Sequence, residues 1–268
     1  MQSVTEVGEQ ERQTAPQRRA QRPRQAVYSV KRFLHTLRPS GRAALTGSLF
    51  VLGGSLRGQA VAATPLLDAL SITVQLDSAT VARGSMRFRQ FRTGNDVELV
   101  ISGIIVRRGQ RVTAELRTDS TFALRRYLAE SRDSAGKLVD RVQVTSAGGR
   151  ITLERVTPSR RMVREYLAQR EMMILDSAAV VPFVALAGLV QRTSGLTFLD
   201  VRRGTLTPVQ LTLGTLVELS VADIVVSGTP VSVGGLATTL SWWRDARGRL
   251  LRVVWGGRNR VLRDDPPT

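Results

Sequence analysis

The sequence predicts a mainly β protein: one long, strongly curved antiparallel sheet or half-barrel of hairpins, with a short apolar helix near residues 178–191. Three observations lead there. From Leu70 onward apolar residues recur mostly at spacing two, the period of a strand with one packed face. Glycine-bearing breaks interrupt that pattern about every 8 to 15 residues, as hairpin turns do. One segment, Ser177–Arg192, abandons the period and is apolar almost all round; such a helix must be covered, so the sheet has to curl around it or be plugged by it.

In chain order, residues 1–30 are polar and basic, with Gln17-Arg18-Arg19-Ala20-Gln21-Arg22-Pro23-Arg24. They read as a disordered tail or as a start site assigned too far upstream. Residues 31–63 read as a signal peptide. Lys31, Arg32, Arg38 and Arg42 form its basic part, Ala43–Leu52 its apolar part, and Ala60-Val61-Ala62 a cleavage site, with cleavage expected after Ala62 or Ala63. A permanent anchor is the other reading, but a spanning helix needs about 20 apolar residues. Ala43–Leu56 is shorter and carries Thr46, Gly47, Ser48, Gly53, Gly54 and Ser55. The expectation is a periplasmic or secreted protein without a transmembrane anchor after cleavage, residues 64–268 forming a single β-rich domain.

Removing residues 1–62 lowers the formal net charge from +17 to +10. That surplus favours anionic neighbours. Lys31 and Lys137 are the only lysines, so the charge is nearly all arginine, a bias that a GC-rich genome also produces. No cysteine is present, which excludes disulfides and a lipidated cysteine, and the single histidine, His35, lies in the leader. The exported domain therefore has no Ser-His-Asp triad, thiolate nucleophile or zinc site of the usual type. It reads as non-enzymatic, with no cofactor.

Within the domain, Met86 and Phe88 alternate with Arg87 and Arg89. Leu138, Val142 and Val144 share one parity, as do Ile151 and Leu153, and Val217, Leu219, Val221 and Val225 share another. Arg108-Gly109-Gln110, Ala147-Gly148-Gly149 and Gly234-Gly235 offer residues that take positive φ between strands. Asp133-Ser134-Ala135-Gly136-Lys137-Leu138 and Asp245-Ala246-Arg247-Gly248-Arg249-Leu250 are near copies, in which the aspartate caps a turn and the glycine adopts the left-handed conformation. Ser177 is the expected N-cap of the helix, with Pro182 in its first turns and Gln191-Arg192 at its end. Thr193-Ser194-Gly195 and Val201-Arg202-Arg203-Gly204 read as plain loops.

The closing stretch Ser227-Gly228-Thr229-Pro230-Val231-Ser232-Val233, followed by Ala237–Val253 with its Trp243-Arg244-Asp245-Ala246-Arg247-Gly248-Arg249 turn, resembles the final hairpins of uncharacterised bacterial secreted proteins. Those are similar to the periplasmic lipoprotein carriers. The resemblance covers roughly residues 80–260 and implies one curved antiparallel sheet; it carries over no functional residue.

Three functions compete. The first is binding of a lipid, acyl chain or other hydrophobic ligand on the concave face, with Phe183, Leu186, Trp242 and Trp255 as candidate contacts. Trp242 and Trp243 point to opposite faces, and parity assigns Trp242 and Trp255 to the concave side. The second is an envelope adaptor that holds a protein or anionic polymer through an arginine-rich face. The third is a carboxylate-based hydrolase, for which Asp140 and Asp223, in parity with apolar neighbours, are the candidate buried acids. Met86–Arg92 alone interleaves aromatics with basic residues, and export argues against nucleic acid as a partner.

Overall fold

The computed structural model describes residues 66–169, 171–189 and 195–267. Residues 1–30, the expected signal peptide 31–63 with His35, and residues 190–194 lie outside them. The alternating segments form β1 (Leu66–Leu76), β2 (Ala79–Thr93), β3 (Asp96–Arg107), β4 (Gln110–Asp119), β5 (Leu124–Arg132), β6 (Leu138–Ala147), β7 (Arg150–Thr157) and β8 (Arg160–Leu167). After β9 (Met172–Leu175) comes α1 (Val181–Gly188), then β10 (Leu196–Asp200), β11 (Thr205–Leu213), β12 (Val217–Val221) and β13 (Ile224–Gly234). β14 (Leu240–Arg244), β15 (Leu250–Trp255) and β16 (Asn259–Arg263) complete the described chain.

All belong to one open 16-stranded sheet in the order β8-β7-β6-β5-β4-β3-β2-β1-β16-β15-β14-β13-β11-β10-β9, with β12 paired to β13 beside that path. The mainly β class, the curved open sheet and the lone short helix agree with the sequence. One ladder departs from it: β9 and β10 run parallel. Parallel neighbours need a crossover, and α1 is that crossover.

Two-residue turns with both residues at positive φ join several hairpins, such as Gly148–Gly149 (57° and 74°) between β6 and β7. Asp133 Oδ1 accepts the N–H groups of Ala135 and Lys137, and Asp245 Oδ1 those of Arg247 and Arg249. A third copy was not legible. Asp119 Oδ1 accepts from Thr121 and Ala123, and the residue in the left-handed position is Phe122, at φ 61°.

The helix is buried along Val181–Ala187, as an all-round apolar segment must be. It is shorter than expected and begins differently. The N-cap is Val180, without a side-chain hydrogen bond, because Asp176 Oδ1 takes the N–H of Ala178 and turns residues 176–179 ahead of the helix. Ser177 is exposed there.

α1 touches β3, β4, β9, β14 and β15. β4 and β14 are six places apart in the sheet, about 29 Å at about 4.8 Å per step. One helix about 10 Å wide reaches both only if the sheet curls around it. Room for it comes from a row of small inward residues on successive strands, Gly103, Ala114 and Ala129, in cross-strand register. At Gly103 a Cβ would stand 2.9 Å from both Met86 Cγ and Val181 Cγ2, and 3.2 Å from the Ser85 carbonyl oxygen.

The first and last strands are neighbours, and a buried bidentate pair fastens them. Arg263 Nη1 and Nη2 each donate to Asp68 at 2.9 Å, and Arg263 also donates to backbone carbonyls of Ala69 and Asp265. Among the described residues no helix is long and apolar enough to cross a membrane. Gly103→Val should force α1 off the sheet, lowering stability by about 1–3 kcal/mol in a urea melt; an unchanged midpoint would show that the row of small residues does not seat the helix.

Candidate functional site

The acids take different places from those the sequence suggests. Asp140, half-buried on β6, has both oxygens engaged: Arg155 donates to each at 3.1 Å, and Arg202 Nη1 donates to Oδ2. Arg202 also donates from Nε and Nη2 to Asp176, at 2.7 and 2.9 Å. Asp176 is wholly buried directly after β9 and accepts a further 2.7 Å bond from the Tyr127 hydroxyl on β5. Arg155 Nη1 returns to the Arg202 carbonyl oxygen at 2.9 Å.

Arg202 is held by its own loop, where Asp200 Oδ1 accepts the N–H groups of Arg202 and Arg203. Val201–Gly204 is therefore not plain loop material. Burial, then the charge of Asp176 and the hydrogen bond to it, push the Tyr127 phenol well above its ordinary 10.0. Burial works to lower the Arg202 pKa, but the bonds and charges of Asp176 and Asp140 outweigh it and hold the guanidinium above its usual value.

Asp223 is not a buried acid. It is exposed at φ 64° beside Ala222 at φ 48°, the two forming the tight turn between β12 and β13. That turn carries no glycine, so counting by twos ran straight through it. It also reverses the strand, leaving Val225 67% exposed opposite Ser220 while Val221 is buried. Asp140 and Asp223 stand on separate parts of the sheet and form no acid pair.

The aromatic and helical candidates do share the concave side. Phe183, Leu186 and Trp242 are fully buried in the core, and Trp255 is half-buried, its ring stacked on Phe183 at 5.8 Å. The Trp242 indole N–H has no acceptor among the described residues. Trp243 faces outward beneath the Arg252 guanidinium, 5.6 Å from its ring centre. The helix thus fills the middle of the concave face, and open space remains at its two ends. Near the N-terminal end is a cavity of about 160 Å³ lined by Val74, Val112, Val180, Trp255, Asp140 and Arg202. Past the C-terminal end lies a larger cleft of about 360 Å³.

Each wall of that cleft follows from local structure. Phe88 of β2 and Leu99 of β3 are inward positions, and Val184 and Gly188 present the last turn of α1. Phe122, in the left-handed position of the Asp119 turn, lies so close to Gly188 that a Cβ there would be 2.7 Å from its ring. Leu67, 43% exposed, stands at the rim. The Asp245 turn brings Arg247 and Gly248 against the helix end, a Gly248 Cβ position falling 3.5 Å from the Ala187 carbonyl oxygen. Arg249 is bonded through Nε to Asp245, whereas exposed Arg247 has no acidic partner among the described residues. The Asp68 carboxylate in the wall is already taken by Arg263. What results is an apolar slot with a free guanidinium at its edge.

Sequence reasoning missed Tyr127, Asp176, Arg202, Phe122 and the role of Arg247. Only the shared aspartate turn could have pointed to Phe122. Among the described residues no group of three or more histidine, cysteine, aspartate or glutamate side chains is placed to hold a metal.

Arg202→Leu leaves Asp176 buried and uncompensated and should cost about 3–5 kcal/mol in a urea melt; Arg155→Gln, at a more exposed pair, should cost about 1 kcal/mol or less. Tyr127 keeps its proton in the folded chain where an unfolded tyrosine loses it, so its contribution is complete below about pH 10 and fades above. Melts between about pH 9 and 11 should show wild type losing stability more steeply than Tyr127→Phe, and parallel losses would refute the raised phenol. Compared with known proteins, the chain matches no family model, no curated protein and no solved structure.

Proposed function

We propose that the protein is a non-enzymatic carrier or receptor for an amphiphile with an acyl chain and an anionic head. One observation carries this: the cleft of about 360 Å³ at the end of α1 has apolar walls and an unpaired arginine at its rim. The volume lies at the lower end of the usual range for small-molecule sites. A chain burying eight methylenes there gains about 6 kcal/mol at about 0.8 kcal/mol each. That corresponds to affinities between micromolar and millimolar. The carboxylate or phosphate of such a molecule meets Arg247, and Arg249 on the same turn adds positive potential.

The filled centre of the concave face moves the ligand away from Phe183, Leu186 and Trp242, whose side chains serve the core. Export through residues 31–63 is part of the same proposal. A lipid-binding domain without cysteine or histidine suits an envelope where lipids travel between membranes, as the resemblance to lipoprotein carriers also suggests.

Dodecanoate titrated into the protein, followed by calorimetry, should bind with a dissociation constant in the tens to hundreds of micromolar. Leu67→Trp, a bulky ring at an exposed rim position, should abolish it. Arg247→Gln should weaken dodecanoate but leave dodecanol unchanged. Absence of binding by wild type, or binding untouched by Leu67→Trp, would overturn the proposal.

A further inference from the structure

The face of the sheet turned away from α1 carries a set of arginines that no acid among the described residues answers. On β2 the outward residues are Arg83, Ser85, Arg87 and Arg89, alternating with buried Ala82 and Met86 and half-buried Phe88. None of these three arginines has an acidic partner among the described residues. Following the ladders sideways from Arg83 gives one continuous row: Arg252, Leu262, Thr73, Arg83, Val106, Arg111 and Arg132. Arg111 and Arg132 lie directly opposite each other, as do Arg117 and Arg126, although Arg132 is paired with Glu130 and Arg117 with Glu98 and Glu115. Like charges so placed are unfavourable. Burial and then the charge of Arg260 lower the pKa of Arg252 at the far end of the row.

Beside this row the outer face is indented. A groove of about 500 Å³ runs over β2 to β5, lined by Ser85, Arg87, Ser102, Thr113, Glu115 and Glu130 among others. Arg87, Ser102 and Glu115 are immediate cross-strand neighbours. The three hydroxyls have no protein partner among the described residues. Glu115 is bonded to Arg117, and Glu130 to Arg132, and each carboxylate retains accepting capacity.

We propose that this face binds an anionic polysaccharide, an acidic sugar occupying the groove and the polymer continuing along the arginine row. Arg87 supplies a bidentate donor for a carboxylate or sulfate. Ser85, Ser102, Thr113, Glu115 and Glu130 exchange hydrogen bonds with sugar hydroxyls. Along the row the unpaired arginines are spaced by about 14 Å from Arg252 to Arg83 and about 10 Å from Arg83 to Arg111, counting strands. A flexible chain can follow that curve.

A flat anionic bilayer fits less well, because a sheet curled around its helix offers a plane only a narrow strip of outer surface. Single-stranded nucleic acid fits less well too. Its bases need aromatic platforms, and the row has Trp243 alone beside Arg252. The two glutamates and three hydroxyls of the groove can exchange hydrogen bonds with the many hydroxyls of a sugar, which a deoxyribose-phosphate chain lacks. The inference is independent of the apolar cleft on the opposite face.

The test is binding of the full chain to immobilised polygalacturonate at low and high salt, with dextran, oligothymidylate and phosphatidylglycerol vesicles as comparisons. Wild type should bind polygalacturonate, lose it as salt rises and ignore dextran. Arg83→Gln/Arg87→Gln should weaken binding at least about tenfold, whereas Arg160→Gln/Arg161→Gln, which removes the same charge from β8, should change it less than about twofold. Neither pair fills the core, and matching thermal melts make the comparison one of binding alone. Equal losses in the two variants, no retention of wild type, or tighter binding of oligothymidylate or vesicles would each overturn the proposal.

Discussion

The guanidinium of Arg202 does what no ladder of this sheet does: it joins the two ends. An open sheet of 16 strands has edges, here β8 and β9, and its backbone bonds do not close it. Arg202, just past β10, binds Asp176 at the end of β9 on one side and Asp140 of β6 on the other. Arg155 of β7 reinforces the bridge, and Arg164 and Tyr166 of β8 reach the Gly204 carbonyl oxygen at 2.6 and 2.8 Å. Two arginines and two aspartates give a neutral cluster, which is what lets so many charges sit partly out of water. It holds together the two ends of a sheet that the burial of an all-round apolar helix already favours curling.

Curling has consequences for both faces. Inside, the row Gly103, Ala114 and Ala129 lets α1 lie close, and so leaves no central hollow. Space survives only where the helix stops. At its C-terminal end the free carbonyls carry partial negative charge. The Asp245 turn places Arg247 and Arg249 at that spot, so cationic side chains stand beside those carbonyls. The same turn chemistry at Asp133 sits on an exposed loop, which shows that the motif builds the turn and its surroundings decide the use.

Much of the fold was legible because strand faces and hairpin turns are local properties. Met86 and Val142, Val144, Ile151 and Leu153 are buried as their parity requires. The turns at Asp133 and Asp245 form as their spacing dictates. Legibility failed where a rule had an unmarked exception: Phe122 in a position that glycine usually fills, and Ala222-Asp223 as a tight turn without glycine. It failed again for the closing network. Asp176 and Arg202 are 26 residues apart, and Asp140 and Arg202 are 62 apart, so no window of sequence holds the cluster. The helix start was missed for a related reason, since Asp176 accepts the N–H of Ala178 and makes 176–179 a turn, so the helix begins only at Val181.

The arginines divide by what surrounds them. Arg202 and Arg263 are buried or nearly so and are satisfied by carboxylates, so their charge is structural. On β8, Arg160, Arg161 and Arg164 flank the exposed apolar residues Val163 and Leu167 at a free sheet edge. Charge there discourages another chain from adding a strand. Neither explanation reaches β2. That strand is paired on both sides, so it has no edge to guard, and Arg83, Arg87 and Arg89 contact no acid that would make them structural. A genome biased toward arginine supplies the residue type but not its concentration on one interior strand beside a groove of hydroxyls. The β2 arginines therefore have neither a structural nor an edge-guarding role among the described residues, and it is this subset of the surplus charge that the polysaccharide proposal addresses.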